Sequence, residues 1–168
     1  MTGEPTSSLW FRCRRIVEFR DTDAAGIAHF SAFFFWMESA EHEFLRKLGL
    51  RVVDTSPKDA ASLLCELPKG EESSQGIEVS WPRVSVSAEY KTAVRFGDNL
   101  DVFIAVGKRG VSSLSYQFRF EKSGCLVATG TVVVVRCLMR HGRKPLPVKI
   151  SADILEQMKP YQLPDSDG

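Results

Sequence analysis

At 168 residues the chain has room for one domain with a real core, and eleven Phe supply bulky material to fill it. A formal charge of +1 gives no overall field to draw nucleic acid, and no apolar run approaches the ~20 residues that cross a bilayer. Cys13, Cys65, Cys125 and Cys137 are scattered without paired metal-type spacing, so reduced structural thiols in a cytoplasmic protein are expected, and no metal site.

Residues 1–9 are small and polar and are expected as a disordered leader, with no charged-then-apolar targeting pattern. Residues 10–160 read as a single domain and 161–168 as a tail. Trp10 to Arg20 reads as a strand, with Phe11, Cys13, Ile16 and Phe19 apolar among Arg and Glu. An acidic turn and a long helix follow, described below. Residues 51–77 hold a Thr-Ser-Pro turn, a short apolar run at 60–67 and a polar, Gly-bounded loop at 68–76, read as an insertion with a mobile flap as the alternative.

Strand-like runs come next. Ile77 to Tyr90 is broken near its start by Pro82, and Lys91 to Asp98 reads as a bend ending in a Gly97-Asp98 turn. Leu100, Val102, Ile104 and Val106 alternate inward, Lys108-Arg109-Gly110 reads as a tight hairpin turn, and Leu114, Tyr116, Phe118 and Phe120 alternate again. Cys125 to Met139 reads as one long strand, its Val132–Val135 run fitting cover on both faces. Ser151 to Met158 predicts a short helix capped by Ser151, with Ile154 and Met158 inward. Strand, long helix, then four long antiparallel strands predicts an α+β fold, one central helix buried against a curved antiparallel sheet.

The stretch from Asp21 to Gly49 carries the chemistry. Asp21 and Asp23 sit on alternate residues, and Gly26 permits close approach of backbone or ligand. A helix starts near Phe30 or Ser31, its Phe, Met and Leu recurring at three- and four-residue spacing, and Gly49 stands where a left-handed cap belongs. Free N–H groups and the positive dipole end at the helix start suit a developing oxyanion. Each Asp also reads as an ordinary turn or helix-entry carboxylate. No Ser lies in a strand-to-helix elbow and no dinucleotide fingerprint is present.

DTDAAGIAHF running into a Phe-rich helix resembles the hot-dog fold thioesterases of the 4-hydroxybenzoyl-CoA thioesterase type. Their Asp-x-Asp-x-x-Gly turn and helix acid are matched by Asp21, Asp23, Gly26 and Glu38. AEYKTAVRFGDNLDV and KRGVSSLSYQFRF match in the same order, and within the family the turn is especially similar to 1,4-dihydroxy-2-naphthoyl-CoA hydrolases and to acyl-CoA thioesterases of the Tol-Pal cluster. The resemblance implies a hot-dog fold and an acyl-CoA thioesterase acting on an aromatic or short acyl group, with Asp23 as nucleophile or general base and the Phe30 N–H as carbonyl donor. Glu38 is a candidate for support of the site or for a subunit contact. His29, displaced by one from the family's Tyr-His pair, is a further candidate beside a purely structural reading.

Gly26, Phe33 and Ser112 are candidates for substrate contact, and Lys108, Arg109 and Arg140, with Arg143 and Lys144, for the phosphates of coenzyme A. No metal or redox cofactor is implied, since coenzyme A is part of the substrate. A homodimer or homotetramer is expected, with sites at the subunit seam. The alternatives are a non-catalytic acyl-CoA or acyl-carrier binding module and a hot-dog dehydratase or hydratase, whose relatives carry a different helix motif.

Overall fold

The computed structural model describes residues 9–70 and 76–164. Its axis is α1 (Ala32–Lys47), which buries Phe33, Trp36, Met37, Ala40, Phe44 and Leu45. The three- and four-residue spacing of these side chains gives the helix a broad apolar face. It lies on a five-stranded antiparallel sheet of β1 (Phe11–Ile16), β4 (Arg83–Tyr90), β5 (Asn99–Arg109), β6 (Ser113–Lys122) and β7 (Cys125–Val135), in the order β1-β5-β6-β7-β4. Leu100, Val102, Ile104 and Val106 of β5 and Leu114, Tyr116, Phe118 and Phe120 of β6 are all buried, as the alternation predicts.

Helix and sheet come close at Gly130, opposite Phe118 on β6 and Ala88 on β4. A Cβ there would run into the Met37 Sδ and press on the Ser87 carbonyl. Gly130→Ala therefore lowers stability by about 1–3 kcal/mol, read from the urea midpoint at unchanged slope.

Several sequence expectations are corrected. The first strand stops at Ile16, and Phe19–Asp21 forms a turn of 3-10 helix. Val17 is buried there while Ile16 and Phe19 are exposed, because the chain leaves the sheet edge at that point. Strand β5 extends through Arg109, so the hairpin turns at Gly110–Ser112 after a bulge and β6 opens at Ser113. The Val run alternates, with Val132 and Val134 in the core and Val133 and Val135 half-buried. Strand β7 ends at Val135 instead of running to Met139. Ser151 precedes α3 (Ala152–Met158), but its side chain makes no capping bond, although Ile154 and Met158 do point inward.

Residues 161–163, assigned to the tail from the sequence, dock on the domain. Tyr161 packs edge-on against Phe44, and the Leu163 N–H donates to the Val106 carbonyl. The expected leader lies, apart from Leu9, outside the described residues.

Residues 53–54 of the insertion join a second small sheet that the sequence did not announce. Strands β2 (Val53–Asp54), β3 (Val79–Ser80), β8 (Cys137–Leu138) and β9 (Leu146–Pro147) pair in that order, and α2 (Ala60–Cys65) contributes Leu63 to a cluster with Val79, Leu138 and Val148. Arg136, 2% exposed, ties this unit to the main sheet through two 2.8 Å bonds to the Asp59 carboxylate and one of 2.6 Å to the Lys149 carbonyl. That fork holds the Asp59 carboxyl below its usual range. Among the described residues no helix is long and apolar enough to cross a membrane.

Candidate functional site

Residues 21–29 form a narrow loop on which the two acidic residues part company. The Asp23 N–H donates to the Ile27 carbonyl (2.9 Å), Thr22 and Ala28 form an antiparallel bridge, and the His29 N–H donates to the Asp21 carbonyl (2.7 Å). Asp23 turns the chain tip by accepting the Ala25 N–H on Oδ1 (2.8 Å), with Gly26 at φ +71°. This is an Asx turn followed by the left-handed residue that Gly adopts without strain. Asp21 faces the other way, its Oδ2 accepting the Glu18 N–H at 2.8 Å, so its carboxylate closes the 3-10 turn.

The start of α1 is wound tightly. The Ala32 N–H donates to the His29 carbonyl (2.9 Å) and the Phe34 N–H to the Ser31 carbonyl (3.1 Å), both three residues back. His29 Nδ1 takes the Ser31 N–H (3.3 Å) and lies 2.7 Å from Ser31 Oγ. Two donors converge on Nδ1, so that nitrogen is the acceptor and His29 caps the helix entry. The Phe30 N–H, between them, has no hydrogen-bond partner among the described residues, and Phe30 is 59% exposed. An unpaired N–H at a helix mouth is the donor that a developing oxyanion requires.

Three contacts from the end of β4 and the bend after it hold this loop. The Ala28 N–H donates to the Val94 carbonyl (2.8 Å), Arg95 Nη1 to the Gly26 carbonyl (3.4 Å), and the Tyr90 hydroxyl to the Phe30 carbonyl (3.0 Å). Tyr90 and Arg95 were not singled out from the sequence, although both lie inside the AEYKTAVRFGD match. An aromatic ending a strand and an Arg two residues before a Gly-Asp turn were the available signal.

The remaining candidates are placed as follows. Phe33 is in the core, edge-on to Trp36, Tyr90 and Phe120, and so is packing rather than an open contact surface. Glu38 pairs with Arg83 Nη1 at 3.2 Å, and the neighbouring Glu41, which sequence reasoning passed over, is buried against Arg83 Nη2 at 2.9 Å. Lys108, Arg109 and Ser112 sit at the β5–β6 hairpin, roughly 30 Å along β5 from its Asn99 end, which follows the bend that holds the Asp23 loop. Arg140 donates to the Lys144 carbonyl (2.7 Å), closing its own turn. A groove of about 740 Å³ runs between β1 and the start of α1, where Asp21, His29, Ser31, Trp36 and Ser39 line it and Asp23 does not.

Residues 17–158 match the model of the thioesterase-like superfamily. A 1,4-dihydroxy-2-naphthoyl-CoA hydrolase from Prochlorococcus marinus is 31% identical over 127 residues, 76% of this chain and 75% of the relative. Among solved structures, a 1,4-dihydroxy-2-naphthoyl-CoA thioesterase from Synechocystis superposes with a TM-score of 0.68 at 16% identity, covering 89% of this chain and 96% of that one. A gentisyl-coenzyme A thioesterase gives 0.65 at 21% identity, over 88% and 99%. At those identities the two structures speak for the fold alone. With the family model spanning most of its length, the chain belongs to the thioesterase-like superfamily, has the hot-dog fold, and is a thioester hydrolase.

Proposed function

We propose that the protein hydrolyses an aromatic or short acyl-CoA thioester to the free acid and coenzyme A. The observation that carries this reading is a Phe30 N–H left unpaired among the described residues at the mouth of α1, at the end of the loop whose Asp23 carboxylate accepts one backbone N–H among them. The thioester carbonyl oxygen accepts from the Phe30 N–H. Asp23 then either attacks the carbonyl carbon or takes a proton from the attacking water, and the coenzyme A thiolate leaves. No metal or redox cofactor enters the scheme. The naphthoyl-CoA and gentisyl-CoA names of the relatives favour an aromatic acyl group.

The site is completed by a second copy of the chain. Strand β4 ends the sheet, and its Val84 and Val86 are 62% and 43% exposed. A long edge strand with apolar side chains invites pairing. Twofold antiparallel pairing along β4 sets the Arg83 end of one copy beside the Tyr90 end of the other. The β5–β6 hairpin shares the Arg83 end, since Arg83 pairs with Val134 and Ser113 with Val135. Lys108, Arg109 and Ser112 of each copy thereby reach the Asp23 loop of its partner, where coenzyme A phosphates lie. Glu38, held by Arg83 at the start of the same strand, supports that seam.

A panel of aryl- and short aliphatic acyl-CoAs, followed by free-thiol release, tests the reading. Turnover with a preference for aryl-CoAs is the expected result. Binding without thiol release would make the protein an acyl-CoA binding module instead.

A further inference from the structure

The Tyr90 side chain stands between the sheet edge and the helix mouth. Its ring packs edge-on against buried Phe33 at 5.1 Å, and its hydroxyl donates to the Phe30 carbonyl at 3.0 Å. That carbonyl would ordinarily receive the Phe34 N–H four residues on, but the Phe34 N–H goes to Ser31. The phenol thus replaces a helical bond at the first peptide after the Phe30 N–H. Its own backbone is fixed, with Tyr90 opposite Ala128 on β7 and the next two residues, Lys91 and Thr92, both donating to the Val127 carbonyl. Burial pushes the Tyr90 phenol up, so it remains a proton donor at neutral pH.

We infer that Tyr90 is a positioning residue for thioester hydrolysis: its hydroxyl holds the Phe30 carbonyl from the edge strand and so aims the Phe30 N–H at the substrate carbonyl. The inference rests on the reading of Phe30 as the oxyanion donor. It also ties the donor mechanically to β4, the strand proposed to join two copies. Without the hydroxyl, the Phe34 N–H can close on the Phe30 carbonyl, the first turn relaxes toward regular α-helix, and the peptide carrying the donor rotates with it.

Tyr90→Phe keeps the ring on Phe33 and removes one hydrogen bond. The expected result is a fall in kcat of about 10- to 100-fold with KM little changed, since misplacing a transition-state donor costs the chemical step more than binding. A second readout does not depend on turnover. In Asp23→Asn protein, the infrared band of an isotope-labelled thioester carbonyl reports its hydrogen bond when acyl-CoA is bound. That band moves back toward its free-solution position when Tyr90→Phe is added. An unchanged kcat together with an unmoved carbonyl band overturns the role of Tyr90, and so does a kcat loss matched by an equal loss of bound substrate. Wild-type protein that releases no thiol, or Asp23→Asn protein that turns over normally, instead removes the functional reading itself, and the Tyr90 inference with it.

Discussion

Asp23→Asn lowers kcat for the preferred acyl-CoA by about 1000-fold, with KM changed only a few-fold and the fold intact. The amide is isosteric, and its Oδ1 still accepts the Ala25 N–H, so the Asx turn and the Gly26 conformation survive. What disappears is the negative charge and with it both the nucleophile and the base. Asp21→Asn gives the opposite pattern. Its carboxylate closes the turn at Glu18, a bond that the amide oxygen can still accept, so stability changes by less than about 1 kcal/mol and kcat stays within several-fold. One single-turnover experiment in heavy-oxygen water separates the two roles of Asp23. If Asp23 attacks the acyl carbon, an anhydride forms, and water opening it at the aspartyl carbonyl leaves the label on Asp23 and none in the first acid released. General-base attack puts the label in the acid at once. Should Asp23→Asn keep its activity while Asp21→Asn loses it, the chemistry belongs to the groove side of the loop, where Asp21, His29 and Ser31 lie together.

How far the sequence could be read follows from the range of each signal. Periodicity is local and strong, so the helix and the inward residues of β5 and β6 were legible, although Phe30 proves exposed while Trp36 and Ala105, read as lying on other faces, are buried. The small second sheet was not, because strands of two residues carry no period, and its core gathers Leu63, Val79, Leu138 and Val148 from distant parts of the chain. Gly130 was a readable signal that went unread, since a lone Gly inside a strand marks close approach of another element. At the site, Asp-x-Asp presents two equivalent carboxylates. Their difference lies in which N–H each accepts, Glu18 or Ala25, and that depends on how the loop folds back on itself. The Tyr90 bond to Phe30 spans 60 residues and the Arg83 bond to Glu41 spans 42, and no spacing rule reaches that far.

Arg83→Met destabilises the protein by about 1–2 kcal/mol more at pH 8 than at pH 5, since a Glu41 carboxyl that already titrates near 7 can take up a proton at about 1.4 kcal/mol per pH unit. Glu41 is 1% exposed, and burial outweighs the Arg83 ion pair, pushing its carboxyl up to about 7. Glu38 and the buried Tyr116 ring surround the same carboxylate from α1 and β6. Because the folded-state value lies above the unfolded one, the folded protein binds the extra proton between about pH 4.5 and 7. That contribution is full below pH 4.5 and is lost as pH rises through about 7. Removing Arg83 strips away the guanidinium that makes the ionised form tolerable, so the variant suffers most where Glu41 must be charged. His42 works in the opposite sense, since burial and then Arg83 hold its ring below the usual range, and Glu41→Gln is the control that isolates the carboxylate. In that variant the fall in stability between pH 5 and pH 8 flattens. The double variant Arg83→Met, Glu41→Leu recovers most of the loss, because an apolar pair replaces a buried charge left alone. Urea midpoints at the two pH values check each step. An Arg83→Met loss that is equal at both would mean that Glu41 is not the group left exposed to the cost of burial, and the lock between α1 and the edge strand would then be packing alone.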